Sequence, residues 1–222
     1  IVKKISLSYF SKPRASGVRA INLPADNSDA LIDVQVVQRQ EAEPLATSSK
    51  SQSKAQEVLL ATKKGQAIRF SSGDVREMGR ASYGVTGIKL DKGDEVVSLE
   101  ILNTQEVLTI TKNGYGKRTP VSEFPAKGRG GIGVISIQTT QRNGLVVGAV
   151  QVEDNDEIML ITNGGTLVRT HVNEISVVGR NTQGVTLIQL SNEKKLVGLQ
   201  RIEEQAIEEA VVNAQAIKPK HS

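Results

Sequence analysis

The chain of 222 residues carries 28 Lys and Arg against 24 Asp and Glu, a net charge of +4. It contains no Cys, so disulfides and thiolate metal sites are excluded, and no apolar run approaches the ~20 residues of a membrane-spanning helix. Residues 203–222 have a net charge of −2, which leaves +6 on residues 1–202 and favours an anionic partner, nucleic acid first.

The chain opens with a partial copy of a unit that recurs three more times. In this first copy, residues 1–37, Lys3 aligns with Ile68 of the next copy, and Gly17-Val18 aligns with Gly84-Val85. The strand that opens the later copies is missing, so we expect further sequence upstream. Residues 38–56 are polar and rich in Ser and Gln, which is typical of an insertion joining neighbouring strands.

Three full copies follow, the second (57–103), third (104–152) and fourth (153–202). Each opens with an apolar, β-branched run, such as 58–62, and resumes after a Gly turn, as at 67–70, which predicts a β-hairpin. Residues 84–90 alternate with period two, and 95–99 form another short run. Four short strands per copy are typical of a propeller blade, which needs neighbours to cover its faces. We therefore predict an all-β, propeller-like array with about four blades visible.

Several residue types recur at fixed positions in the three full copies. Positive-φ turns explain the glycines. The recurring arginine differs, because turn geometry does not require it, and we expect it to place one exposed cation per copy on one rim. The recurring acids Asp74, Glu123 and Glu174 are interpreted as partners of nearby backbone or Arg. The aligned sets include Glu57, Glu106 and Glu157; Gly65, Gly114 and Gly165; Arg69, Arg118 and Arg169; Gly79-Arg80, Gly128-Arg129 and Gly179-Arg180.

The most distinctive local feature is a Gly-rich loop in the third copy. Residues 128–133 satisfy G-x-G-x-x-G, but a strand pattern follows them where the dinucleotide fingerprint needs a helix. A Gly-rich loop beside Lys127 and Arg129 still lets backbone approach a phosphate chain closely. We interpret it as a phosphate contact. The loop consists of Lys127, Gly128, Arg129, Gly130, Gly131, Ile132 and Gly133.

Catalytic chemistry is poorly supported in this chain. Only two histidines, His171 and His221, are present, no P-loop occurs, and we predict no catalytic residue, metal site or cofactor. With aromatics at 3%, base stacking on single strands is disfavoured. Cations spread round a rim favour contacts with the phosphates of duplex DNA. Such contacts depend on the DNA sequence only through how easily the duplex bends.

We predict that these phosphate contacts come from cations of the repeating units. The predicted DNA-binding residues are Lys3, Lys4, Lys63, Lys64, Arg69, Arg80, Lys112, Lys117, Arg118, Lys127, Arg129, Arg169 and Arg180.

These units resemble the C-terminal domain of the DNA gyrase A protein. The similarity lies in 57–88, 112–119, 142–152 and 157–188, and covers nearly the whole chain except 38–56 and the tail. It implies a β-pinwheel, a propeller-like disc of about six blades, whose basic rim binds, bends and wraps duplex DNA so that gyrase introduces negative supercoils. Four copies imply that two blades precede this chain.

The family's hallmark heptapeptide, Gln-Arg-Arg-Gly-Gly-Lys-Gly, lies in its first blade. Residues 127–133 agree with it at Arg129, Gly130, Gly131 and Gly133 only, and they lie in a later blade. They are therefore interpreted as the equivalent loop of that blade and not as the hallmark itself. This implies that the chain binds DNA without closing the DNA wrap. The resemblance places catalysis by an ATP-dependent type IIA topoisomerase, with its tyrosine, magnesium and ATP, in other domains. It implies as partners duplex DNA, the rest of the gyrase A protein and the gyrase B protein in a heterotetramer, in the bacterial cytoplasm at the nucleoid.

Three other interpretations stay open. The topoisomerase IV counterpart of this domain usually has fewer blades, and four copies do not exclude it. A protein-binding propeller with an acidic partner is an alternative of another class, and an enzyme in its own right is the weakest.

In the tail, 203–222, residues 203–217 have helical spacing and predict a short helix or a frayed end.

Overall fold

The computed structural model describes residues 1–26, 28–38, 55–191 and 193–202, and their regular structure is almost entirely β. The helical segments among them are four short 3₁₀ turns, Leu7–Phe10, Ser72–Asp74, Val121–Glu123 and Val172–Glu174. Nothing in this part of the chain forms a helix with the length and apolarity to cross a bilayer. The strands are β1 (Glu57–Thr62), β2 (Gln66–Ser71), β3 (Val96–Leu102), β4 (Glu106–Thr111), β5 (Tyr115–Pro120), β6 (Val134–Ile135), β7 (Val146–Val152), β8 (Glu157–Thr162), β9 (Leu167–His171), β10 (Val185–Thr186) and β11 (Leu196–Ile202).

These strands form three antiparallel sheets that exchange strands. The orders are β3-β1-β2-β6, β10-β5-β4-β7 and β11-β8-β9. The prediction that one copy supplies all four strands of a blade is wrong, because β6 belongs to the third copy and β10 to the fourth. After its 3₁₀ turn the chain crosses to the outer hairpin strand of the preceding copy, where Val134 pairs with Ala67 and Val185 with Gly116. Each sheet is therefore linked to the next by backbone hydrogen bonds.

The first copy follows the same plan with fewer bonds. Val2 forms a bridge with Val85, and Lys4 forms one with Glu77, but no strand is formed within residues 1–26 and 28–38. Thus the predicted strand 84–90 is reduced to one paired residue. The predicted helix at 203–217 and most of the insertion, 39–54, lie outside the described residues.

The hairpin turns confirm the interpretation of one set of glycines. Gly65, Gly114 and Gly165 close the three hairpins at φ of +88°, +86° and +74°, a region that L side chains rarely adopt. By contrast, Gly79 and Gly128 do not have positive φ, so turn geometry does not explain the Gly of the Gly-Arg pairs.

The core lies between neighbouring sheets, because a single blade cannot cover its own apolar faces. Leu108 and Ile110 of β4 pack with Ile158 and Leu160 of β8, and all four side chains are buried. The edge strand β7 contacts both of the other edge strands, β3 and β11. They therefore surround the common axis of the array, and β6 and β10 lie at the opposite, outer edge of their sheets.

Strand exchange gives the last glycine of each rim loop a steric role, which can be tested at Gly133. Gly133 has φ of +77°, and an added Cβ would overlap the carbonyl oxygen of Ala67. We expect Gly133→Ala to lower the free energy of unfolding by about 2 kcal/mol, since left-handed backbone alone costs roughly 1–2 kcal/mol outside Gly. Urea unfolding measures the change. Gly128→Ala, where no atom lies within 4 Å of the new Cβ, is the control and should stay within about 0.5 kcal/mol of the parent. Equal midpoints for the two variants would contradict the steric role.

Candidate nucleic-acid interface

Three equivalent loops are carried to the outer edge of the sheets by the strand exchange. They span residues 79–84, 128–133 and 179–184, and we call them the rim loops. Two of them lead directly into β6 and β10, the strands that lie farthest from the axis. Any ligand that follows the circumference of the array would meet the rim loops in succession.

The arginine of each Gly-Arg pair fastens its rim loop to the preceding copy. In every case the guanidinium donates to the carbonyl of the residue that follows a Gly-Val pair. The remaining N–H groups are available for a phosphate, since Arg carries five, and no described carboxylate forms an ion pair with any of the three. The three bonds run from Arg80 to Arg19 (3.3 Å), from Arg129 to Thr86 (3.0 Å) and from Arg180 to Ile135 (3.1 Å).

Exposed cations flank the rim loops, whose Gly-Arg arginines are themselves half-buried. Lys127 lies just before the loop 128–133 and is exposed, with Ile132 exposed at the tip. Lys12 and Arg14 are exposed in the corresponding loop of the first copy and were not among the predicted contacts, although their alignment with the rim loops could have identified them. The rim loops therefore present several cations in a row along one edge.

The recurring arginine has a different place from the one expected. Arg69 pairs with Glu57, and its guanidinium donates to Val121 O at 2.9 Å and Phe124 O at 3.0 Å in the next copy. Its side chain is only 16% exposed. The expectation of an exposed rim cation is wrong here, because the 3₁₀ turn of the next copy packs over the guanidinium.

Arg118 is still more enclosed. It donates to Glu106 at 3.0 Å and to Ile175 O at 2.7 Å, pairs with Asp154, and its side chain is 7% exposed, so the same correction applies. Arg169 pairs with Glu157 but remains half exposed. The sequence carries a signal for these pairs, because a Glu stands 12 residues before the Arg in every full copy.

One of the recurring acids, Glu123, is a backbone partner as predicted. Glu123 accepts a hydrogen bond from the backbone N–H of Arg180 at 3.0 Å, as expected of a backbone partner. This bond fixes the start of the last rim loop and leaves the guanidinium of Arg180 available.

Three of the predicted lysines point inward. Lys4 donates to Ser72 O at 2.9 Å, and Lys3 lies beneath the rim loop 79–84. Lys117 lies beneath the loop 179–184 and has no exposed surface. These cations hold neighbouring copies together through bonds to backbone carbonyls and do not belong to the outward-facing interface.

The remaining predicted lysines lie at the hairpin turns. Lys63 pairs with Glu95 at 3.2 Å, whereas Lys64 and Lys112 are exposed. Neighbouring turns lie at the same end of the sheets, since Val146 N donates to Lys63 O at 2.8 Å. Apart from Arg169, the predicted cations that reach the surface thus form two groups, one in or beside the rim loops and one at the hairpin-turn end.

Burial of Lys117 predicts a pH dependence of stability. Desolvation lowers the pKa of Lys117 from 10.5 to about 8. Between these values the unfolded chain binds more protons than the folded one, so this lysine makes stability rise with pH from about 8 to 10.5. We expect the free energy of unfolding of the parent, relative to that of Lys117→Met, to rise across this window when both are followed by urea unfolding. A difference that stays constant with pH would contradict the lowered pKa.

Comparison with known proteins identifies relatives of the whole array. A family model described as the DNA gyrase C-terminal domain, beta-propeller, matches residues 1–38, 56–103, 105–153 and 156–203. The DNA gyrase A protein of Salmonella typhimurium (strain LT2) is 50% identical over 204 residues, 91% of this chain and 21% of that protein. Its counterpart in Escherichia coli (strain K12) is 48% identical over 209 residues, 94% of this chain and 22% of that protein. The chain thus spans about a fifth of the length of these relatives.

Two solved structures share the fold. A DNA gyrase A C-terminal domain superposes with a TM-score of 0.64 at 33% identity, covering 68% of this chain and 52% of that one. The C-terminal domain of a DNA topoisomerase IV superposes with a TM-score of 0.80 at 23% identity, covering 97% of this chain and 64% of that one. At that identity the second likeness concerns the fold alone.

Proposed function

Because the chain belongs to the DNA gyrase C-terminal domain family, we propose that it binds duplex DNA without sequence specificity and bends it around the outer edge of its sheets. In the complete protein this bending serves a gyrase that introduces negative supercoils. The chain acts as an accessory domain and performs no catalytic step itself.

The observation that carries the proposal is the repetition of cationic rim loops at one edge. The Gly-Arg arginines occupy equivalent places on successive copies, bound to backbone carbonyls and to no described carboxylate. Phosphates of a double helix recur regularly along its path, so cations repeated along a curved edge match a bent duplex better than a straight one. Contacts of this kind carry no base readout and depend on sequence only through bendability.

The proposed partners follow from the relatives. They are duplex DNA, the remainder of a gyrase A protein and, in a heterotetramer, the gyrase B protein, in the bacterial cytoplasm at the nucleoid. ATP and magnesium serve the catalytic domains of that assembly, and we assign neither to this chain. The identity to gyrase A proteins favours this assignment over topoisomerase IV, for which the likeness is one of fold.

Binding to duplexes of 30, 60 and 150 bp at one salt concentration tests the proposal. Because bending brings successive rim loops onto the DNA, we expect affinity to increase with duplex length beyond what the larger number of sites explains. Ligation of nicked circles in the presence of the chain should shift the linking-number distribution. Affinity proportional only to the number of sites indicates a point contact and rejects bending. Failure to retain any duplex, together with tight capture of an acidic protein, supports the protein-binding alternative.

A further inference from the structure

The rim loops are of two kinds, distinguished by what lies beneath them. Under the loops 79–84 and 179–184, a lysine from the preceding copy directs its ammonium into the turn. An ammonium has three N–H donors, and bonds from a charged donor are stronger than neutral ones. The bonds run from Lys3 to Arg80 O (2.6 Å), Ser82 O (2.8 Å) and Ala20 O (3.0 Å), and from Lys117 to Gly179 O (2.7 Å), Arg180 O and Thr182 Oγ1 (3.2 Å).

A hydroxyl adds a second fastening inside the same two loops. Ser82 Oγ donates to Gly79 O at 2.9 Å, and Thr182 Oγ1 donates to Gly179 O at 3.1 Å. Both loops are therefore tied internally and from below.

The loop 128–133 lacks both fastenings. Ile68 occupies the position of the lysine, and it is buried but cannot donate a hydrogen bond from its side chain. Gly131 replaces the Ser or Thr. A Cβ added at Gly131 would have Ile68 Cδ1 as its nearest neighbour, at 3.6 Å. A small cavity lies beneath the loop, lined in part by Ile68, Lys127 and Gly128. Ile68 thus lines a small pocket at the position where the other loops have a lysine.

Backbone bonds alone fix the centre of this loop. Gly130 N donates to Gly87 O at 2.6 Å, and Lys89 N donates to Gly131 O at 2.8 Å. Arg129 reaches across to Asp74 O at 2.9 Å, but this bond holds the side chain to the neighbouring copy. With Gly at 128, 130 and 131, the segment has more accessible conformations than its counterparts.

We propose that Lys3 and Lys117 are positioning residues that hold their rim loops rigid, and that Ile68 leaves the loop 128–133 free to rearrange around a DNA phosphate. This inference rests on the proposed function. The identity of one side chain in the outer hairpin strand thereby decides whether the rim loop of the next copy is a fixed or an adaptable contact.

A rigid loop can bind only phosphates that already lie at the right spacing. An adaptable one follows the backbone as the duplex bends, with Lys127 and Arg129 carried along. A mixture of both kinds lets fixed loops set the path of the DNA while the loop 128–133 accommodates its local irregularities.

Hydrogen exchange and duplex binding by the full chain test the inference. In the absence of DNA, we expect amides of the loop 128–133 to show at least about tenfold lower protection factors than those of 179–184, the size of one lost charged hydrogen bond. Ile68→Lys should raise protection of Gly130 and Gly131 about tenfold and weaken binding to a 60 bp duplex several-fold. The added positive charge by itself would strengthen DNA binding. Weaker binding by Ile68→Lys would therefore show that the new lysine holds the loop 128–133 rigid.

The chain offers a matched control and a second variant. Val168→Lys places the same charge at the equivalent position of the fourth copy and should leave duplex affinity equal or slightly higher. Should Ile68→Lys not fold, Lys117→Ile copies the Ile68 arrangement and should lower protection of 179–184 to that of 128–133.

Equal protection of the two loops in the parent, or equal duplex affinity of Ile68→Lys and Val168→Lys, overturns the inference. Absence of duplex binding by the parent overturns the proposed function instead, and it does so without altering the exchange difference between the loops.

Discussion

Duplex DNA should bind this chain with an affinity that falls steeply as salt rises. Six cations lie in the rim loops, directly before the loop 128–133 or in the corresponding loop of the first copy, so log Kobs against log[salt] should have a slope of about −5 if all six meet phosphates. Between 50 and 200 mM salt the affinity then drops about a thousandfold. Fluorescence anisotropy with a 60 bp duplex measures the slope. The six are Lys12, Arg14, Arg80, Lys127, Arg129 and Arg180.

Single substitutions locate the contacts on the surface. Lys127→Gln should reduce the magnitude of the slope by about one and weaken binding to all sequences alike. Lys112→Gln makes the same charge change at an exposed lysine of the hairpin-turn end and should leave the slope unchanged. If Lys112→Gln instead lowers the slope as much as Lys127→Gln does, the DNA does not follow the rim. A slope near zero for the parent rejects phosphate binding altogether.

Loss of the Arg118 guanidinium should destabilise the fold by about 3 kcal/mol. Its removal in Arg118→Met leaves the carboxylate of Glu106 beside a buried site and removes the bond to Ile175 O, which joins the third copy to the fourth. Breaking a buried ion pair by deleting one partner costs roughly 3–5 kcal/mol, and the exposure of Asp154 puts this case at the low end. Equilibrium unfolding in urea gives the difference.

Arg169→Met is the matched control, because it removes the same residue type from the equivalent position of the fourth copy. There the arginine side chain is half exposed, but its partner Glu157 is buried, so the expected loss is smaller than for Arg118→Met, about 1–2 kcal/mol. Equal destabilisation by the two substitutions would show that burial under the next copy contributes nothing to the role of Arg118.

The three aligned arginines therefore differ in consequence although they share a position. What separates them is the next copy: its 3₁₀ turn covers Arg69 and Arg118, and no described segment covers Arg169 in the same way. Repetition of a residue along the chain indicates a repeated environment, but it does not say whether that environment is solvent or a neighbour.

The amino-acid sequence by itself determined the features that depend on local physics. Alternation of apolar residues and Gly turns predicted the hairpins 57–71 and 106–120, and the glycines at 65 and 114 have the positive φ that the turns demand. The recurrence of the unit about every 50 residues predicted stacked sheets, because one small sheet cannot cover its own apolar faces. The family resemblance drew on the same repeats.

Only the tertiary structure decided which copy completes each sheet and which cations remain at the surface. Pairing of Val134 with Ala67 joins residues 67 positions apart, and nothing in the local pattern of residues 134–137 distinguishes a partner in its own copy from one in the preceding copy. That exchange buries Arg118 and Lys117 and carries Arg129 to the edge. A charged residue has the same sequence signature in either place, since its exposure is set by what packs over it.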